Sequence, residues 1–158
     1  MDVLGATVRA AGKGEAVWVL GDLYTFKAVG KDTDGRYELI EAVIYAGNGP
    51  PPHRHTREAE AFYILKGEIQ FTLDGKVIAA KAGDFVHSPP GIVHAFKNIG
   101  SETATMLISV FPATLENFFK AIGTAARERD APPAVTQADI ERAMVEAPKY
   151  GLEMMPPG

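Results

Sequence analysis

The chain has 158 residues, 46% hydrophobic and 23% charged, with a net charge of −4 and no cysteine. That length suits one domain with a real core. The acidic balance, with no basic run, argues against a nucleic-acid or anionic-membrane partner, and the missing thiols exclude disulfides and zinc–thiolate sites. No stretch approaches the roughly 20 apolar residues of a membrane span. Arg9, Lys13 and Glu15 break up residues 1–20 before a signal-peptide core can form. The expectation is a soluble, cytoplasmic protein.

In chain order, residues 1–15 read as an N-terminal arm, 16–112 as a β-barrel, and 113–158 as a helical extension and tail. Ala16–Leu20, Leu23–Phe26 and Tyr37–Tyr45 are rich in β-branched and aromatic residues and read as strands. Asp34-Gly35 and Asp74-Gly75 are tight-hairpin signals, because a type I′ turn needs two residues that tolerate positive φ. Asp74-Gly75 lies between Ile69–Leu73 and Lys76–Ala79 and should close a hairpin there. Many short strands at this spacing argue for a sandwich or barrel. Pro50-Pro51-Pro52 cannot donate ladder hydrogen bonds, which suits a sheet edge.

After Pro112 the period changes. Leu115, Phe118, Phe119, Ile122 and Ala126 fall on one helical face, with Thr114 as N-cap. Ala131-Pro132-Pro133 breaks that helix. A second starts at Thr136, where Asp139 completes a capping box, and should bury Ile140, Ala143, Met144 and Ala147 before Pro148 ends it. The tail, 150–158, reads as extended and partly mobile. Both helices look structural, covering a barrel end or a partner's surface.

The chemistry concentrates between Gly47 and Asn98. One half reads Gly47, His53, His55, Glu60, Gly67; the other reads Gly83, Pro89, His94, Asn98; fifteen residues, Glu68 to Ala82, separate them. Side chains alternate along a strand, so His53 and His55 face one way and Arg54 the other. Glu60 shares a face with Phe62 and Ile64, and His94 with Ile92 and Phe96. If Gly67 turns these strands onto each other, the ligand atoms converge. Glu58 is the competing carboxylate, two residues before Glu60. His87 stands outside the pattern and either lines the pocket or points outwards. Gly47, Gly67, Gly83, Pro89 and Gly91 read as turn and strand-end residues, and Asn98 as a local hydrogen-bonding group. Imidazole suits iron, nickel, copper, cobalt, zinc and manganese, and a carboxylate hardens the site.

This paired pattern resembles the signature of the cupin superfamily. Pro50 through Gly67, Leu115–Gly123 and Lys149–Gly158 are similar to small bacterial single-domain cupins related to quercetin 2,3-dioxygenase. The resemblance implies a mainly β fold, a cupin-type jelly-roll β-barrel with two C-terminal helices, and often a homodimer. It implies one divalent transition metal per chain on His53, His55, Glu60 and His94, and its spacing selects Glu60 over Glu58. It points to a metal-dependent dioxygenase opening a flavonol or similar enolisable aromatic, with Glu60 as ligand, base or both. The alternatives are a non-catalytic metal-dependent binder of small molecules and a metal-dependent sugar isomerase. Phe62 and Phe96, with Phe71, should face inwards, either holding a flat ligand or simply packing the barrel. Arg54 faces away from the ligands and Arg57 sits in a loop, so an isomerase lacks an obvious phosphate-holding cation. Tyr63, Leu65 and the Leu115–Ile122 stripe are candidate dimer surfaces.

Overall fold

The computed structural model describes residues 2–3 and 5–155. A small hairpin, β1 (Asp2–Val3) with β2 (Ala6–Thr7), comes first. Then follow β3 (Ala16–Val19), β4 (Asp22–Ala28), one helical turn α1 (Gly30–Thr33), β5 (Glu38–Ile44), β6 (His53–His55) and β7 (Ala59–Lys66). The barrel continues with β8 (Glu68–Leu73), β9 (Lys76–Lys81), β10 (Phe85–Ser88), β11 (His94–Asn98) and β12 (Ala104–Phe111). The C-terminal part adds α2 (Glu116–Ile122), β13 (Thr124–Ala125), α3 (Gln137–Glu146), a 3-10 turn (Ala147–Tyr150) and β14 (Leu152–Met154).

Two sheets face each other as a jelly roll, one ordered β10-β7-β12-β5-β4-β3-β13 and the other β14-β6-β11-β8-β9. Strict alternation drives them together. Along β5, Glu38, Ile40, Ala42 and Ile44 are buried while the residues between are not, and β12 repeats the pattern. Phe26, Ile40, Phe62, Ile64 and Ile108 from the larger sheet meet Ile69, Phe71 and Phe96 from the smaller. Strand β3 is buried on both faces: Val17 and Val19 join the main core, while Ala16 and Trp18 pack with Leu23, Val43, Tyr45 and Ala126, and Trp18 donates Nε1–H to Glu128 O at 3.0 Å.

The turns follow backbone chemistry. Asp74 (φ 46°) and Gly75 (φ 82°) both adopt the left-handed region and set the Leu73–Lys76 register expected of a I′ hairpin. Gly67 (φ 83°) carries the chain from one sheet to the other, and a Cβ there would lie 2.8 Å from the Ala104 side chain. Asp34-Gly35 does something else: Asp34 is the left-handed cap of α1, so β4 and β5 pair through a helical turn rather than a two-residue loop. The sequence gives no such warning at Leu20-Gly21, where both residues have positive φ and join β3 to β4. A leucine in that conformation costs roughly 1–2 kcal/mol.

The C-terminal part departs from expectation in several places. Helix α2 ends at Ile122, and Thr124-Ala125 form β13, because Gly123 lies too close to Phe119 O and Trp18 O to carry a side chain. Leu115, not Thr114, is its N-cap. Helix α3 has the capping box of Thr136 and Asp139, but only Ala143 is buried along it; Ile140 and Met144 are 44% and 48% exposed. Helix α3 meets the rest of the chain chiefly through α2 and the 3-10 turn that follows it, a contact in which the small Ala143 and Ala147 are the buried residues. Ala147, in the 3-10 turn, is buried as expected. The tail is ordered as far as it is described: Leu152, Glu153 and Met154 pair with His55, Arg54 and His53. Strand β6 is therefore interior, with β14 as the sheet edge. Residues 156–158 lie outside the described residues.

Candidate metal centre

Three candidate ligands come from one sheet and the fourth from the other. His53 and His55 sit on the buried face of β6, and His94 opens β11 directly opposite His53. Glu60 reaches in from β7 in the facing sheet, on the same side as Phe62 and Ile64. All four side chains are buried, and one ligand atom from each lies within 4.8 Å of the others. Glu60 Oε2 is 2.8 Å from His94 Nε2 and 3.2 Å from His55 Nε2. The sequence expectation of convergence is realised by the sandwich, which brings β7 over β6 and β11.

The far side of each imidazole is occupied. His53 Nδ1 lies 2.8 Å from Pro51 O, and His94 Nδ1 lies 3.1 Å from Ser88 Oγ and 3.3 Å from Ile92 O. A carbonyl only accepts, so Nδ1 carries the proton in both and Nε2 is left as a lone-pair donor towards the centre. His55 Nδ1 lies 3.4 Å from Glu58 Oε2. That approach is an ion-pair contact rather than a hydrogen bond, and on the inner side Nε2 of both His55 and His94 is likewise buried without a hydrogen-bond partner. Orphaned buried nitrogens aimed at one point are what a cation would satisfy, and the donor set fits a divalent transition metal.

Charge agrees with this. Burial, then the nearby His94 and His55 rings, hold His53 down at about 4, so it is neutral and able to ligate. Burial also works to lower His55, but the Glu60 and Glu58 carboxylates outweigh it and push this ring up to about 9. Burial works to raise Glu60, yet His55 and His94 outweigh it and keep its carboxyl well below the usual range. Without an ion, His55 and Glu60 neutralise each other; a cation would take the place of that proton.

His53, His55 and Glu60 open on an apolar chamber. Its walls include Val19, Leu20 and Tyr24 of the β3–β4 hairpin, Phe96 of β11, Phe118, Phe119 and Ile122 of α2, Ala143 of α3, and Leu152 and Met154 of β14. None of the lining residues is Arg or Lys, and apart from His53, His55 and Glu60 only Tyr24 carries a polar side-chain group. Phe96 lines the chamber, whereas Phe62 and Phe71 pack 5.1 Å apart in the core beneath and do not. The helices are thus more than a structural cover. The α2 stripe is buried within the chain as a wall of the site, with Phe119 edge-on to Tyr24 at 4.9 Å. The missed signal was two adjacent aromatics on a short amphipathic segment, which periodicity alone reads as core. His87 points outwards, and Asn98 is buried, donating to Ile44 O and Glu102 O.

Comparison with known proteins agrees with this geometry. Residues 41–111 match the family model for the cupin domain. The chain is 26% identical over 150 residues to quercetin 2,3-dioxygenase of Bacillus subtilis (strain 168), an alignment covering 95% of this chain and 44% of that protein. It is 39% identical over 74 residues to probable germin-like protein subfamily 2 member 5 of Arabidopsis thaliana, covering 43% of this chain and 35% of the relative. The chain therefore spans less than half the length of both curated relatives. Among solved structures, a predicted oxalate decarboxylase from Thermotoga maritima superposes with a TM-score of 0.62 at 21% identity, covering 67% of this chain and 98% of the other. That last likeness is one of fold.

Proposed function

We propose that this chain, a small cupin with its cupin domain at residues 41–111, is a metal-dependent dioxygenase that opens a flavonol or similar enolisable aromatic with dioxygen. One observation carries the reading: three histidines and a glutamate cluster in the core, and His53, His55 and Glu60 of that cluster open on a chamber whose other walls are apolar but for Tyr24 and include no Arg or Lys. A bound divalent ion would supply Lewis acidity and open coordination positions for small ligands. His53, His55 and His94 would hold it through Nε2, fixed in orientation by what stands behind each Nδ1. Glu60, ionised at neutral pH, would accept the hydroxyl proton of a substrate seated against the ligands. Phe96, Phe118 and Phe119 offer ring faces and edges to an aromatic body and keep water out. The similarity to the Bacillus quercetin 2,3-dioxygenase supports the same reaction class.

The test is oxygen uptake by protein loaded separately with iron, manganese, cobalt, nickel and copper, offered a panel of flavonols and β-diketones. Consumption of dioxygen with ring-opened product supports the proposal; no uptake with any pairing favours the non-catalytic binder. The sugar-isomerase alternative is weakened by the absence of Arg and Lys from the chamber wall, since an anionic sugar needs a cation to hold it.

A further inference from the structure

Glu58 is among the most deeply buried acidic side chains of the described residues, at 1% exposure, and the proposed chemistry does not use it. It lies in the turn between β6 and β7 and does not belong to the cluster of four ligands. One carboxylate oxygen accepts a hydrogen bond from Thr114 Oγ. The other has no hydrogen-bond partner of good geometry, and its polar neighbour is His55 Nδ1 at 3.4 Å. Burying a carboxylate is costly, and an apolar residue of similar volume usually serves stability as well or better. Its presence behind a ligand therefore calls for a role at that ligand. The three imidazoles are backed unequally: His53 by a carbonyl, His94 by a hydroxyl and a carbonyl, and His55 alone by a carboxylate.

We propose that Glu58 is the positioning residue of this site: held by Thr114, it fixes the ring of His55 with Nδ1–H outwards and makes it the most strongly donating of the three imidazole ligands. This rests on the metal-site reading above. The same contact ties the site to α2. Thr114 immediately precedes the helix cap Leu115, whose N–H donates to another buried carboxyl group, that of Glu38, at 2.7 Å. The segment that carries the chamber wall is thereby anchored to a ligand's own support.

The test is metal affinity, measured on metal-free protein by cobalt and zinc titration against a competing chelator, with the cobalt visible spectrum as a second readout. Glu58→Leu should bind about 10–100-fold more weakly, the usual cost of losing a ligand's outer partner. Glu58→Gln keeps a carbonyl acceptor for Nδ1–H and should lose less. Thr114→Val should weaken binding in the same direction and shift the cobalt bands, and Thr114→Ser should restore both. Folded Glu58→Leu with wild-type affinity and spectrum overturns the proposal. Should that variant fail to fold, Thr114→Val and Thr114→Ser decide, since Thr114 is exposed and its replacement leaves the core intact; identical binding by these two variants and the wild type overturns it. No metal binding by the wild-type chain would instead overturn the site reading itself, and this proposal with it.

Discussion

At the scale of single residues, His53, His55 and His94 are buried in the proposed centre and the fourth histidine, His87, is exposed. His53→Ala, His55→Ala and His94→Ala each remove one of four donors and should each leave purified protein with a small fraction of wild-type metal content. His87→Ala should leave that content unchanged, because His87 is exposed on β10. Elemental analysis of the four variants checks this, and a full complement of metal in His94→Ala would remove the basis for the site. Glu60→Gln asks a different question. It keeps an oxygen donor but cannot accept a proton, so metal should largely remain while turnover falls about 10²–10⁴-fold, the usual worth of general acid–base catalysis. Undiminished oxygen uptake by Glu60→Gln would remove its role as base.

At the scale of elements, α2 is fastened to the barrel by buried acids, and that has a pH signature. Burial above all, with the Glu116 and Glu58 carboxylates, raises Glu38 to about 7, only partly offset by backbone N–H groups at the start of α2. Its Oε2 is buried without a partner. The folded chain therefore keeps this proton between its ordinary value of 4.5 and about 7, where the unfolded chain has lost it. Stability linked to Glu38 is complete below pH 4.5 and declines as pH rises through about 7. Glu38→Gln cannot titrate, so its thermal midpoint should fall less than the wild type's between pH 5 and roughly 7.5. Parallel curves for the two proteins would show that Glu38 does not govern this loss.

At the scale of the molecule, two surfaces stand out. On the outer face of the larger sheet, Phe85 lies directly across from Tyr63, with Leu65 beside them; they are 63%, 45% and 44% exposed, and β10 is an unpaired edge. An apolar patch on a free edge is commonly closed by a two-fold copy. We expect light scattering to give twice 16.9 kDa, and Leu65→Glu with Phe85→Glu to give 16.9 kDa. A wild-type monomer at micromolar concentration would contradict this, the more readily because the α2 stripe is already covered within the chain. The second surface is internal. The chamber is about 70 Å³, well below the roughly 300–1,000 Å³ of sites that enclose drug-sized ligands. A three-ring flavonol can enter only if α2, α3 and β14 part from the barrel mouth. Hydrogen exchange in 115–122 should change when such a ligand binds, whereas a ligand of a few atoms should leave it unaltered.

What was legible in the sequence was whatever depends on local geometry. Strand alternation put His53 and His55 on one face and Arg54 on the other, where it meets Glu153 at 2.6 Å. Backbone chemistry marked the Asp74-Gly75 hairpin and the Thr136–Asp139 cap. The fixed spacing of the two motif halves, read as a resemblance, selected Glu60 over Glu58. Tertiary structure decided the rest, because it depends on which segments distant in the chain lie against each other. Parity could not say that Glu58 would stand behind His55, since that follows from the turn between β6 and β7 and from Thr114, 56 residues away. Periodicity could not tell a helix face that covers the core from one that walls a chamber, as Phe118 and Phe119 do. Nor could it foresee that the tail would pair with β6, since strand pairing is a contact between two segments and is written in neither alone.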